Sequence, residues 1–206
     1  DGQYSADALL RLGESELATK RYAEALAAFD QLLNRADGSV HAERARLRRA
    51  VTLYESGDRA EAEIALRLAA NTAATAAEAH YYLGKLFFDS ARPQESVAAF
   101  EELTRLAPGH ALAPVARYQM AIGLLKLGDL EKAAVQFTET ANSEAADASL
   151  RVESRFRAAE TYDRLGWFEA AVSAYEALTR DYPESEYALR AAYGYAWSLY
   201  HAAKYP

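Results

Sequence analysis

Four histidines, His41, His80, His110 and His201, are the side chains best suited to hold a metal ion or pass a proton. Metal ligation needs several donors converging, as two histidines one helical turn apart do. These four fall in separate segments with no shared short spacing, so no metal site is predicted. The chain has no cysteine, which removes disulfides, thiol catalysis and thiolate-bound zinc. It also lacks a Gly-x-x-x-x-Gly-Lys-Ser/Thr loop, a Gly-x-Gly-x-x-Gly turn and a Gly-x-Ser-x-Gly elbow. Adjacent carboxylates such as Glu101 and Glu102 sit where an exposed helix face is expected, and solvation accounts for them without acid–base work. A noncatalytic chain without a cofactor is predicted.

Charge and rings remain. Arg44, Arg46, Arg48 and Arg49 form the densest basic cluster: either a site for an anionic partner or a solvated helix face beside Glu43 and Glu55. The net charge of −7 argues against nucleic acid, whose phosphates attract a positive surface. The rings, 14 Tyr, 7 Phe and 2 Trp, are numerous enough to serve both a core and a contact surface.

The elements that position these groups are helices. Alanine is abundant, while Gly (10) and Pro (5) are sparse, and no apolar run approaches the roughly 18–20 residues of a membrane span. Gly57-Asp58, Gly128-Asp129 and Gly166-Trp167 each close one apolar helical stretch and open another. Glycine takes the left-handed turn, and Asp caps the next helix. The punctuation predicts helix pairs over 5–19 with 22–35, 40–56 with 59–71, 74–90 with 93–106, 110–127 with 130–141 and 147–165 with 168–181. A lone helix follows over 184–203.

Aligned on these turns, units start at Ala6, Glu43, Ala77, Pro114, Val152 and Leu189. Their eighth residues are all small: Gly13, Ala50, Gly84, Ala121, Ala159 and Ala196. The twentieth are too: Ala25, Ala62, Ser96, Ala133 and Ala171. The twenty-fourth are all large: Phe29, Leu66, Phe100, Phe137 and Tyr175. Helices crossing at close range need small residues where backbones approach and large ones beside them.

This pattern resembles the tetratricopeptide repeat, most closely in the third unit, with Leu83, Gly84, Phe87, Ser96, Phe100, Leu103 and Pro108. Pro183 closes the fifth unit in the same way. His80, Arg46 and Arg117 stand where that family often has Trp. The resemblance covers nearly all of residues 1–206 and implies an all-α fold: one right-handed superhelical solenoid of about five helical hairpins plus an unpaired C-terminal helix. That last helix lacks a partner and a polar cap, with Lys204-Tyr205 at the expected turn, so the chain is expected to be a fragment of a longer protein.

In this family the first helix of each pair lines a concave groove. Position five then places Leu10, Leu47, Tyr81, Tyr118, Phe156 and Tyr193 on the inner face, and Tyr54, Tyr82, Phe88 and Trp197 lie alongside. The resemblance therefore implies partner binding through Tyr54, Tyr81, Tyr82, Phe88, Tyr118, Phe156, Tyr193 and Trp197, against core packing of some of these rings. Groove charges nearly cancel, which fits a protein or peptide with apolar anchors. The Lys and Asn of the chaperone-binding carboxylate clamp are replaced by Leu10/Glu14, Leu47/Val51 and Tyr81/Lys85. Residues 181–188, Asp-Tyr-Pro-Glu-Ser-Glu-Tyr-Ala, resemble a junction of bacterial envelope repeat proteins, including outer-membrane assembly and Tol-Pal-associated ones, which favours the periplasm over the cytoplasm. The reading is a protein–protein scaffold. Its alternatives are a self-assembly module, forming homo-oligomers through the C-terminal end, and the regulatory arm of an enzyme whose catalytic domain lies elsewhere.

Overall fold

A computed structural model describes residues 5–35 and 40–204. Ten helices lie close to where the turn punctuation placed them, whereas the last begins at Ala188 rather than at 184. Residues 184–187 fold instead into turns closed by Ser185 N–H to Tyr182 O and Ala188 N–H to Ser185 O. The first six helices are α1 (Ala6–Ala18), α2 (Tyr22–Leu33), α3 (Val40–Ser56), α4 (Arg59–Ala69), α5 (Ala76–Asp89) and α6 (Pro93–Leu106). They continue as α7 (Ala113–Leu127), α8 (Leu130–Ala141), α9 (Ala148–Leu165), α10 (Phe168–Asp181) and α11 (Ala188–Lys204). Among the described residues there is no strand. Tyr205, half of the expected final turn, lies outside the described residues, and Lys204 is the last residue of α11.

One backbone device makes every hairpin. The fifteenth residue of each of the first five units has positive φ: Lys20, Gly57, Ala91, Gly128 and Gly166. Glycine adopts this conformation freely, whereas a side chain is strained there. Asp58 and Asp129 then accept the backbone N–H of Glu61 and Lys132, capping α4 and α8.

Each helix packs on its sequence neighbours, and α1–α3, α3–α5, α5–α7 and α9–α11 also touch. The result is an all-α solenoid in which odd-numbered helices form one layer and even-numbered helices the other. The small positions are where the layers meet. Ala50, Ala121 and Ala159 are fully buried, as are Ala25, Ala62, Ser96, Ala133 and Ala171. Phe29, Phe100 and Phe137 fill the space opposite. A Cβ on Gly13 would come 2.4 Å from Phe29, and one on Gly84 2.6 Å from Phe100, so both glycines mark close approaches. The Ser96 hydroxyl donates to the Gly84 carbonyl at 2.9 Å across the same crossing.

One small position departs from expectation. Ala196 is exposed. In the other units the eighth residue is covered by the twenty-fourth residue of its own hairpin, and among the described residues no helix follows α11 to supply one. The α11 residues that face α10 and α9 are instead Ala191, Gly194 and Ser198, all buried. The Tyr175 ring stands where a Gly194 Cβ would go.

Candidate functional site

The face made by the odd-numbered helices gathers the rings and charges singled out in the sequence, and their geometry divides it into two halves. In the first half the rings are engaged by the chain itself. Tyr54, Tyr81 and Tyr82 surround the Lys85 ammonium, with centroids 5.1, 5.9 and 5.5 Å from Nζ. A cation among ring faces is attracted by their quadrupoles. The Tyr54 hydroxyl donates to Asp89 at 2.6 Å. Burial, reinforced by that carboxylate, pushes its pKa up. Phe88 is covered by the Lys126 ammonium, 3.5 Å from its centroid. Tyr81 also packs edge-on against the core ring of Phe100.

The next two rings of the expected row lean into the core. Tyr118 stacks edge-on against Phe137, and its hydroxyl donates to Glu153 at 2.6 Å. Burial, and then that bond, raises its pKa. Phe156 is only 2% exposed, so of the two roles left open for these rings, contact surface or core, its burial is that of a core ring. It lies between Tyr175 and Tyr187, at 6.1 and 5.0 Å, with the Arg190 guanidinium 4.5 Å above it. Tyr187 precedes α11, in the junction after Pro183, and closes over the ring from outside the helical pattern.

The second half of the face is open. Tyr193 and Trp197 are 73% and 49% exposed, and Leu189 beside them is 84% exposed. They wall a pocket of about 740 Å³ between α9 and α11, whose floor includes Phe156 and whose rim carries Arg157, Glu160, Arg164 and Arg190. The rim was visible in the sequence only as groove charge. Its signal was a 30-residue spacing: Arg190 pairs with Glu160 as Arg44 pairs with Glu14, each second residue reaching the ninth of the preceding unit.

The basic cluster of α3 is largely neutralised. Arg44 and Arg48 share Glu14, Arg48 also reaches Glu78 at 2.6 Å, and Arg49 reaches Asp30 at 2.6 Å. Three of its four arginines thus link units rather than form an open anion site, and Arg46 is exposed. The histidines stay apart, and no group of three or more His, Asp or Glu side chains that could hold a metal occurs among the described residues. Within the same residues, no helix is long and apolar enough to cross a membrane.

Comparisons with known proteins agree with the fold. Sequence profiles described as Tetratricopeptide repeat match residues 7–39 and 153–185 in one case and 47–111 in another, together more than half of the chain. No match is found among curated protein sequences. Among solved structures the chain is similar to MamA, at 19% identity and a TM-score of 0.63, over 82% of this chain and 93% of that one. It is also similar to YrrB, whose structure is described as a TPR protein with an unusual peptide-binding site, at 18% identity and a TM-score of 0.65, over 91% and 92%. MamA from Desulfovibrio magneticus RS-1 gives 13% identity and a TM-score of 0.67, over 88% and 97%. At such identities the likeness is one of fold.

Proposed function

The chain belongs to the tetratricopeptide repeat family, and from that premise we propose that it is a noncatalytic scaffold holding a peptide or protein partner against its odd-helix face. The pocket between α9 and α11 is the anchor point. One observation carries this reading: Tyr193 and Trp197 stand exposed around a cavity of about 740 Å³, while the rings of the first half are covered by Lys85, Lys126 or the core. Large exposed rings beside a cavity are the usual anchors of an interface, because they bury much area with few rotatable bonds. The peptide-binding site named for YrrB, a structure of the same fold, supports the same class of partner.

The test is direct. Peptides that bind the chain are selected from an array, and their affinities are measured by calorimetry for the wild type and for Tyr193→Ala and Trp197→Ala. The reading expects each truncation to weaken binding by about 1–3 kcal/mol. Unchanged affinities in both variants would overturn it.

A second reading rests on Leu199 and Tyr200, exposed on α11 beyond the pocket: two copies joined through α11. Light scattering of the wild type and of a Leu199→Glu/Tyr200→Glu variant decides it, a dimer lost in the variant being the supporting result. The bacterial-envelope setting rests on the junction at residues 181–188 alone.

A further inference from the structure

The rim of the α9–α11 pocket has an imbalance that specifies its occupant. Arg190 is held on two sides: its guanidinium lies 4.5 Å from the Phe156 ring centre, and Nη2 donates to Glu160 at 3.1 Å. Its other N–H groups have no acceptor among the described residues. Arg164, exposed on the same rim, has no ion pair among the described residues. The two pocket carboxylates are already engaged. Glu160 is shared by Arg157 and Arg190, and Asp163 accepts the hydroxyls of Ser198 at 2.6 Å and Tyr175 at 3.2 Å. The sequence of α11 contains no acidic residue. In a chain of net charge −7, this one cavity is rimmed by spare positive donors.

A guanidinium stacked on a ring and tied by one arm has already lost most of its rotamer freedom, and its free edge suits the two oxygens of a carboxylate. A cationic ligand would meet only Glu160 and Asp163, each already bonded by two groups of the chain itself. The cavity beside that edge is walled by Leu189, Tyr193 and Trp197, which suits a large apolar side chain.

Resting on the groove reading above, we infer that this pocket takes an internal segment of a protein partner in which an aromatic or large aliphatic side chain is flanked by an aspartate or glutamate. The apolar side chain enters the cavity, and the carboxylate bonds the free edge of Arg190, with Arg164 adding attraction.

The probes are dodecapeptides acetylated at one end and amidated at the other, so that no terminal carboxylate contributes. Array selection on the wild-type chain should enrich a large apolar residue within two positions of Asp or Glu. For a selected peptide, Glu→Gln should weaken binding by about three- to tenfold at 0.1 M salt and by less at 1 M, as expected of a partly exposed charged hydrogen bond. In Arg190→Gln that preference for Glu over Gln should fall below about twofold, whereas Arg190→Lys should keep part of it. Thermal unfolding of each variant checks that the stack on Phe156 has not been confused with folding. Selected peptides that are basic, or indifferent to Glu→Gln, overturn the inference and leave the groove reading standing, provided they still depend on Tyr193 and Trp197. Binding that ignores Tyr193 and Trp197 overturns both.

Discussion

Phe156→Ala and Tyr193→Ala separate core from contact surface within one pocket. The two residues hold equivalent positions in successive units, yet one is 2% and the other 73% exposed. A buried phenylalanine removes about 150–250 Å² from water, worth about 4–6 kcal/mol at roughly 25 cal/mol per Å². Ring truncations in cores cost about 3–5 kcal/mol. Phe156 should fall in the lower half of that range, about 3–4 kcal/mol, because the space it leaves opens into the α9–α11 pocket, where water can enter. The Arg190 stack is lost with it. Tyr193 has little burial to lose, so its truncation should change stability by less than about 0.5–1 kcal/mol, while peptide affinity falls by about 1–3 kcal/mol. Urea unfolding followed by circular dichroism gives the first quantity and calorimetry the second. The reasoning fails if Phe156→Ala unfolds no more easily than Tyr193→Ala.

Ala133→Leu should destabilise by about 1–3 kcal/mol through overpacking, and Ala196→Leu by no more than about 0.5 kcal/mol; equal urea midpoints would contradict the assignment of covered and uncovered crossings. Gly84→Ala should be destabilising by about 1 kcal/mol, because a methyl 2.6 Å from the fully buried Phe100 ring outweighs the helix propensity gained. A thermal midpoint that rises would show that the ring yields freely. Burial holds the His80 imidazole below its ordinary pKa, opposed by Glu102 and assisted by Arg105, with Arg67 and Glu95 lining the same cavity. The unfolded chain therefore binds the proton more tightly, and stability present at neutral pH is lost as pH falls below the ordinary histidine value near 6.5. From pH 7 to 5.5 the wild type should lose more stability than His80→Gln, and parallel pH profiles would refute this.

The sequence carried the solenoid because its grammar is local and repeated. Small residues at positions eight and twenty answer a large one at position twenty-four, and each can be checked against four others. What it hid has physical causes. The left-handed fifteenth residue was visible at Gly57, Gly128 and Gly166 but not at Lys20 and Ala91, where the same turn is made with a side chain in place. The burial of Phe156 depends on Tyr187, which reaches it from a turn that the sequence pattern assigned to the last helix. The crowding of Tyr54, Tyr81 and Tyr82 depends on where the long Lys85 side chain folds, and no spacing of residues reports that. Ala196 fits the pattern of its class, but its exposure depends on a neighbour that the pattern takes for granted.

The odd-helix face is also stitched. Every joint between successive units is crossed there by a polar or cation–ring link: Glu14 to Arg44, Arg48 to Glu78, Phe88 to Lys126, Tyr118 to Glu153 and Glu160 to Arg190. Mechanically the solenoid is then a coil spring whose odd-helix seam is sewn with charge while its turns are glued by apolar rings. The two fastenings answer to different solvents, since salt slackens the thread and leaves the glue intact. Raising ionic strength should therefore widen the bore before any helix melts, a change that small-angle X-ray scattering reads as a larger radius of gyration at constant helicity. Under the proposed scaffold reading, the grip on a partner is then set by the width of the opening as well as by the side chains lining it.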